Sequence, residues 1–328
     1  MSNIIPLAQN LMPRDTAFLD NLKNALNTPI KSKPYTAYIT RSTPSVFLFL
    51  IDQSGSMDTK VTLSDGKTLS KAEFLSNAVN DTLNELLNRC IKGNEIRDYF
   101  EVAVIGYGGK NGSKANMAWE GALADKSWVK MTELASHFLS ENEIEIVRSV
   151  RGRDILSKVK RKKWITPLAE YQTPMNHAFG MATELLEDWI VRYKGQNVYP
   201  PTVINITDGQ FTDASNADML TSAQRIMDLK TMDGNVLLFN LHISTKATTE
   251  VVFPYKKEEL PENDDFARVL FDMSSDLPDV FNLDIAKLRG IDVMHSFTGM
   301  AYNASLDKLV AMMNIGTSTT TRQIQQHA

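Results

Sequence analysis

The sequence predicts an α/β protein built on a doubly wound, mostly parallel sheet with helices on both faces. Three observations predict it. The run Val46 to Ile51 is unbroken apolar sequence, as in a strand covered on both faces. Stretches with apolar residues at helical spacing alternate with further runs of this kind. Two of the apolar runs end abruptly in short polar turns carrying an aspartate, at Asp52 and at Asp208.

Residues 1–44 are mixed and punctuated by Pro6, Pro13, Pro29, Pro34 and Pro44, and read as an N-terminal arm that packs on a domain. Leu19, Leu22 and Leu26 predict a short helix within it. The domain is expected over 45–316. Its first strand, Val46 to Ile51, is followed by a helix over Lys71 to Ile91. Ser70 and Glu73 have capping-box spacing there, Leu75, Ala78, Val79, Leu83, Leu86, Leu87 and Cys90 make the apolar stripe, and Gly93 supplies a stop. A strand at Val102 to Tyr107 comes next. A helix is expected from Pro174 to about Arg192, with Ala178, Phe179, Ala182, Leu185, Leu186 and Trp189 on one face.

The strand Thr202 to Thr207, a helix through Leu220, Ala223 and Met227, and the strand Val236 to Ile243 continue the series. A strand at Met300 to Asn303 and a helix at Ser305 to Met313 close it, before a flexible tail over 317–328. Two segments, near 110–166 and 244–283, are too long to be plain loops and are expected to carry small elements of their own.

Composition bounds the function. Of 328 residues, 43% are hydrophobic and 23% charged, ordinary for a soluble globular chain. A net charge of −4 argues against general affinity for nucleic acid. Cys90 is the sole cysteine, so no intramolecular disulfide forms, which points to a reducing compartment. Met1 to Asn10 lacks the pattern of a signal peptide, and the strongest apolar run is far shorter than the ~20 residues that span a bilayer. A cytoplasmic location without membrane contact is expected.

Asp52-x-Ser54-Gly55-Ser56 packs short oxygen-bearing side chains into one turn. Such donors suit a hard divalent cation, since Mg²⁺ takes about six oxygens. Thr173 precedes Pro174 in the order of an N-cap followed by proline at the first helical position. Asp208 ends a core strand. In a doubly wound sheet, ligands gather beyond the carboxyl ends of strands at the switch point, so Asp52 and Asp208 share a crevice if their strands are neighbours.

Other patterns carry less. Gly106 to Gly112 is glycine-rich but lacks the Gly-Lys-Ser/Thr ending of a phosphate loop, and reads as a tight turn between strands. Thr166-Pro167 mimics the threonine motif, but no helix starts there. Gln53-Ser54 lacks the second carboxylate of an Asp-x-Asp phosphatase. A nucleophilic Ser54 or Ser56 needs a base, for which only His177 and Asp213 offer themselves. The basic stretch Arg148 to Lys163 reads as the solvated face of an inserted hairpin or helix in preference to a docking surface, and the acidic run Glu258 to Asp265 as an exposed loop.

Asp52-x-Ser54-Gly55-Ser56, Thr173-Pro174-Met175 and Thr207-Asp208-Gly209, in this order, resemble the metal-ion-dependent adhesion site of von Willebrand factor type A domains. The resemblance covers roughly 45–316. It implies that fold, with Mg²⁺ or Mn²⁺ held by Asp52, Ser54, Ser56 and Thr173, Asp208 near the metal, and a partner's glutamate or aspartate completing the shell. Tyr171-Gln172 stand where the family often has two glycines, which implies a stiffer or partly covered site.

The long middle insertion and Gly234 to Asn240 are similar to bacterial intracellular members, including the tellurium-resistance TerY-like group. That similarity implies a PP2C-type phosphatase and a Ser/Thr kinase as partners, in stress response or phage defence. The expectation is a non-catalytic protein-interaction module. Its alternatives are an adaptor for an AAA+ ATPase of the MoxR or chelatase type, and a Mg²⁺-dependent hydrolase.

Overall fold

A computed structural model describes residues 34–62, 66–109, 112, 114–150, 153–243, 250–291, 295–304, 308, 311 and 312. Everything said of the structure concerns these residues. The helix expected through Leu19, Leu22 and Leu26, most of that at Ser305 to Met313, and the tail 317–328 lie outside them.

The chain runs through β1 (Ser45–Gln53), a small hairpin β2 (Lys60–Thr62) and β3 (Thr68–Ser70), and helix α1 (Lys71–Arg89). The hairpin β4 (Ile91–Lys92) and β5 (Glu95–Ile96) leads to β6 (Phe100–Gly108), β7 (Ala115–Met117), β8 (Val129–Lys130) and α2 (Met131–Ser136). A long hairpin, β9 (Ser140–Val150) and β10 (Arg153–Lys163), precedes α3 (Met175–Arg192), β11 (Thr202–Thr207), α4 (Asn216–Asp228) and β12 (Leu237–His242). Then come β13 (Val251–Val252), α5 (Asp265–Asp272), α6 (Asn282–Arg289) and β14 (Met300–Tyr302).

Eight strands form one sheet in the order β13-β14-β12-β11-β1-β6-β7, with β8 also on β6. The five strands from β14 to β6 are parallel, and β13, β7 and β8 run antiparallel at the edges. Alternate residues of β1 go to opposite layers. Phe47, Phe49 and Ile51 pack with Phe74, Leu75, Ala78, Val79 and Leu83 of α1 and Ile285 of α6. Val46, Leu48 and Leu50 pack with α3, α4 and α5 through Ala178, Phe179, Ala182, Met219, Ala223 and Leu270. All nine residues of β1 are buried, which explains its continuous apolar run. The mostly parallel, doubly wound architecture therefore follows from two covered sheet faces.

One polar thread crosses this core. Tyr107 Oη donates to Asn205 Oδ1 at 2.8 Å, and Asn205 Nδ2 donates to Asn240 Oδ1 at 2.8 Å. Asn240 Nδ2 then donates to Ser274 Oγ and to the Met273 carbonyl. Each side chain is fully buried and partnered, as such groups must be.

Several boundaries differ from expectation for local reasons. Helix α1 stops at Arg89, because Ile91 and Lys92 pair with Ile96 and Glu95. Gly93, with φ +61°, sits in that hairpin's turn and not at the helix end. The run Glu258 to Asp265 is no plain exposed loop: Glu259 pairs with Arg289 and accepts from the Tyr255 N–H, and Asp264 caps α5 at the Ala267 N–H. Both long insertions carry elements of their own, as their length requires. The basic stretch lies on β9–β10, where Lys158 pairs with Glu143, Lys160 and Lys162 with Glu141, and Arg161 with Asp81 and Glu85.

The segment before β1 joins the fold in extended form. Tyr35 N–H donates to the Asp233 carbonyl, and the Thr36 and Ala37 N–H groups to the Asp233 carboxylate, at 2.8 to 3.0 Å.

Candidate metal centre

Strands β1 and β11 are parallel neighbours, with Ile51 opposite Ile206. Helix α1, which follows β1, covers one face, and α4, which follows β11, covers the other. Their carboxyl ends therefore open at a switch point, and Asp52 and Asp208 lie there together.

The site is assembled by the turns. Asp52, 1% exposed, accepts from the Ser54 N–H at Oδ1 (2.9 Å) and from Thr207 Oγ1 at Oδ2 (2.8 Å). Ser54 Oγ lies 3.1 Å from Ser56 Oγ, and Ser56 Oγ donates to Asp208 Oδ1 at 2.7 Å. The other oxygen of Asp208, Oδ2, is paired with Lys71 Nζ at 2.7 Å. Ser54 is buried and Ser56 exposed, so the crevice opens to solvent on the Ser56 side.

Thr173 reaches the same place through its backbone. The Gly55 N–H donates to the Tyr171 carbonyl at 3.0 Å, and the Glu170 N–H to the Gln53 carbonyl at 2.8 Å, so residues 170–173 lie along the Gln53–Gly55 turn. Gly108 makes the approach possible: with φ +96°, a Cβ there would sit 2.7 Å from the Gln172 carbonyl and 2.8 Å from the Ser54 nitrogen. The glycine-rich stretch thus serves strand packing and the β6–β7 turn. Tyr171 holds φ +60°, the left-handed region that favours glycine.

Thr173 is not the N-cap expected from its sequence context. Pro174, at ψ 63°, occupies that position, and α3 begins at Met175. Thr173 instead accepts from the Met175 and Thr212 N–H groups at its carbonyl and donates its own N–H to Thr212 Oγ1. The helix is capped from outside by Asp213, which accepts from the Asn176 and His177 N–H groups.

Burial, and then the nearby Asp208 charge, push the Asp52 carboxyl up to about 6. His242, at the end of β12, stacks on Tyr302 and is pushed down to about 4 by burial. His177 Nδ1 accepts from the Ala115 N–H, leaving the ring proton of the neutral form on Nε2.

Two residues at the site carry roles that the sequence did not assign. Thr207 orients Asp52. Lys71 brings its ammonium into the crevice on a side chain only 7% exposed. Its signal was readable: a lysine at the first position of a helix opposes the helix dipole and calls for a local reason.

The donor set fits a hard cation. Asp52, Ser54, Ser56 and Asp208 offer only carboxylate and hydroxyl oxygens, with Ser54 Oγ 3.1 Å from Ser56 Oγ and Ser56 Oγ 2.7 Å from Asp208 Oδ1. Among the described residues, no three His, Cys, Asp or Glu side chains converge, so this is a hydroxyl-rich set with two carboxylates.

No protein-family model matches the chain, and no curated protein matches it either. Among solved structures it is similar to a von Willebrand factor type A protein from Catenulispora acidiphila, at 14% identity and a TM-score of 0.34. That match covers 70% of this chain and 37% of the other, so the chain spans little over a third of it. It is also similar to the vWF domain of the type V pili tip protein Mfa5 from Porphyromonas gingivalis, at 9% identity and a TM-score of 0.41, covering 87% and 98% of the two chains. Among the described residues, no helix is long and apolar enough to cross a membrane.

Proposed function

We propose that the crevice between β1 and β11 is a metal-ion-dependent adhesion site of the von Willebrand factor A type, through which the chain binds an acidic residue of a partner protein. The supporting observation is the run of oxygens from Ser54 through Ser56 to Asp208, set beside Asp52 at the switch point. Mg²⁺ or Mn²⁺ would be held by Asp52, Ser54, Ser56 and Thr173, with Asp208 acting through Ser56. The ion supplies electrophilic affinity for a carboxylate oxygen, as hard cations do. The chain's own contribution is to fix the donors. Thr207 and the Ser54 N–H hold the Asp52 carboxylate, and Gly108 lets the Thr173 segment approach.

A binding role is favoured over hydrolysis because the nearby bases are engaged. His177 Nδ1 is taken by the Ala115 N–H, and both Asp213 oxygens cap α3. The AAA+ adaptor reading has less to stand on, since much of its basic docking stretch is paired with the chain's own acids. A cytoplasmic, TerY-like setting with a PP2C-type phosphatase and a Ser/Thr kinase in stress response or phage defence extends the proposal, and rests on the sequence resemblance alone.

Calorimetric titration of the full chain with Mn²⁺ and with Mg²⁺ is expected to show one saturable site. Asp52→Ala is expected to weaken it about a hundredfold, the scale of losing one charged ligand. Absence of saturable binding by the wild type overturns the metal reading. In lysate captures with Mg²⁺ or EDTA, identical partners for wild type and Asp52→Ala in all samples overturn the bridge.

A further inference from the structure

We propose that Lys71 is a tethered counter-cation that keeps Asp208 from direct contact with a bound divalent ion and leaves the loaded crevice with surplus positive charge. The inference rests on the metal-binding reading above and assigns what makes that site demand an anion. Both oxygens of Asp208 are claimed from within the chain, Oδ1 by the Ser56 hydroxyl and Oδ2 by the Lys71 ammonium at 2.7 Å. The Asp208 side chain is 0% exposed and that of Lys71 7%, so this pair is built into the crevice floor.

The fold places Lys71 there. Its N–H donates to the Thr59 carbonyl at 2.9 Å, and the Ser70–Glu73 capping box fixes the first turn of α1 around it. A lysine at this position forgoes favourable interaction with the helix dipole, and Asp208 compensates for it. The ammonium can therefore stay on Asp208 when a cation enters.

Charge then decides the chemistry. Two carboxylates alone would balance a dication, and a loaded site would have little need of a further anion. With Lys71 present, one positive charge remains uncompensated. In a partly buried crevice that surplus is felt strongly, because the effective dielectric constant there is nearer about 20 than that of water. The consequence is a compromise: weaker hold on the metal, stronger hold on the ligand's carboxylate.

The test is Mn²⁺ binding by the full chain, followed by calorimetry and by the electron paramagnetic resonance of free Mn²⁺. Wild type, Lys71→Gln, Lys71→Met and Lys71→Arg are compared after thermal melts confirm that each is folded. The two neutral variants are expected to bind Mn²⁺ about tenfold more tightly or better, and Lys71→Arg close to wild type. Acetate, standing in for the ligand's carboxylate, is expected to bind the Mn²⁺-loaded neutral variants more weakly than the loaded wild type. Equal or weaker Mn²⁺ affinity in the neutral variants overturns the role of Lys71 while leaving the metal reading intact. No Mn²⁺ binding by any form overturns both. Should neither neutral variant fold, Mn²⁺ must broaden the Lys71 side-chain NMR signals of the wild type, and sharp signals overturn the inference.

Discussion

Asp52 and His242 stand at the carboxyl ends of β1 and β12, the two strands that flank β11, and burial pulls them in opposite directions. Asp52 is raised from 3.8 to about 6, so its neutral form favours the metal-free fold. That contribution is full below about pH 4 and is lost as pH rises through about 6. His242 is lowered from 6.5 to about 4, so its neutral ring contributes stability above pH 6.5 that is lost as pH falls toward 4. In EDTA-treated protein taken from pH 7 to 4.5, wild type is expected to gain stability relative to Asp52→Asn and to lose it relative to His242→Phe. Each change amounts to about 2 kcal/mol. Urea unfolding at the two pH values checks it, and trends of the same sign in both comparisons refute the assignment.

At this scale the candidate site was largely legible, because Asp52 lies at the end of β1 and Ser54, Ser56 and Asp208 follow directly after strands. What the chain order could not convey was the partner of each oxygen. Thr207 and Lys71 belong to the site through contacts over 155 and 137 residues of sequence.

At the scale of elements, α1 does more than present an apolar stripe. Asn80 Oδ1 accepts from the Trp164 and Ile165 N–H groups, and its Nδ2 donates to the Ile165 carbonyl, all three in the buried core. Asn84 makes the analogous pair with Lys162 one turn on, nearer solvent. The helix thereby completes the backbone hydrogen bonding where β10 ends. Asn80→Ala is expected to cost about 3 kcal/mol, and Asn84→Ala about 1 kcal/mol because water can replace the lost partner. Denaturant unfolding of both variants checks the order, and an equal or reversed order contradicts it. The five parallel strands of the central sheet were readable in sequence, whereas the short antiparallel edge strands β7, β8 and β13 were not. The β9–β10 hairpin was legible only as an inserted hairpin or helix, since it is held by cross-strand ladders and charge pairs such as Lys160 with Glu141.

At the scale of the whole molecule, the segment preceding β1 is bound to the turn around Asp233, through its carboxylate, its carbonyl and the Asn235 carbonyl. Asp233 accepts from the Thr36 and Ala37 N–H groups, and Tyr35 lies over Gly234, where a Cβ would come within 2.8 Å of its ring. Asp233→Ala is expected to release this segment at a cost of about 2 kcal/mol and to speed chymotrypsin cleavage after Tyr35 and Tyr38. An unchanged cleavage rate contradicts it. The fold class was legible because both sheet faces are buried, whereas this attachment rests on hydrogen bonds to a single turn, Asp233 to Asn235, and has no signature in periodicity.

The Tyr107–Asn205–Asn240 thread has a consequence for how the sheet is put together. Asn205 and Asn240 are register partners on β11 and β12, fully buried within a largely apolar sheet. A slip of two residues would set Asn205 against Leu238 and Asn240 against Thr207, or Asn205 against His242 and Asn240 against Val203, breaking the amide pair at about 1–3 kcal/mol for each buried group left unmet. Apolar strands of this kind slide past one another at little cost, since one valine or leucine substitutes for another. The amides give the chain a means of proofreading: Asn205 with Asn240 fixes β11 on β12, and Tyr107 with Asn205 fixes β11 relative to β6 across β1, the strand that carries Asp52.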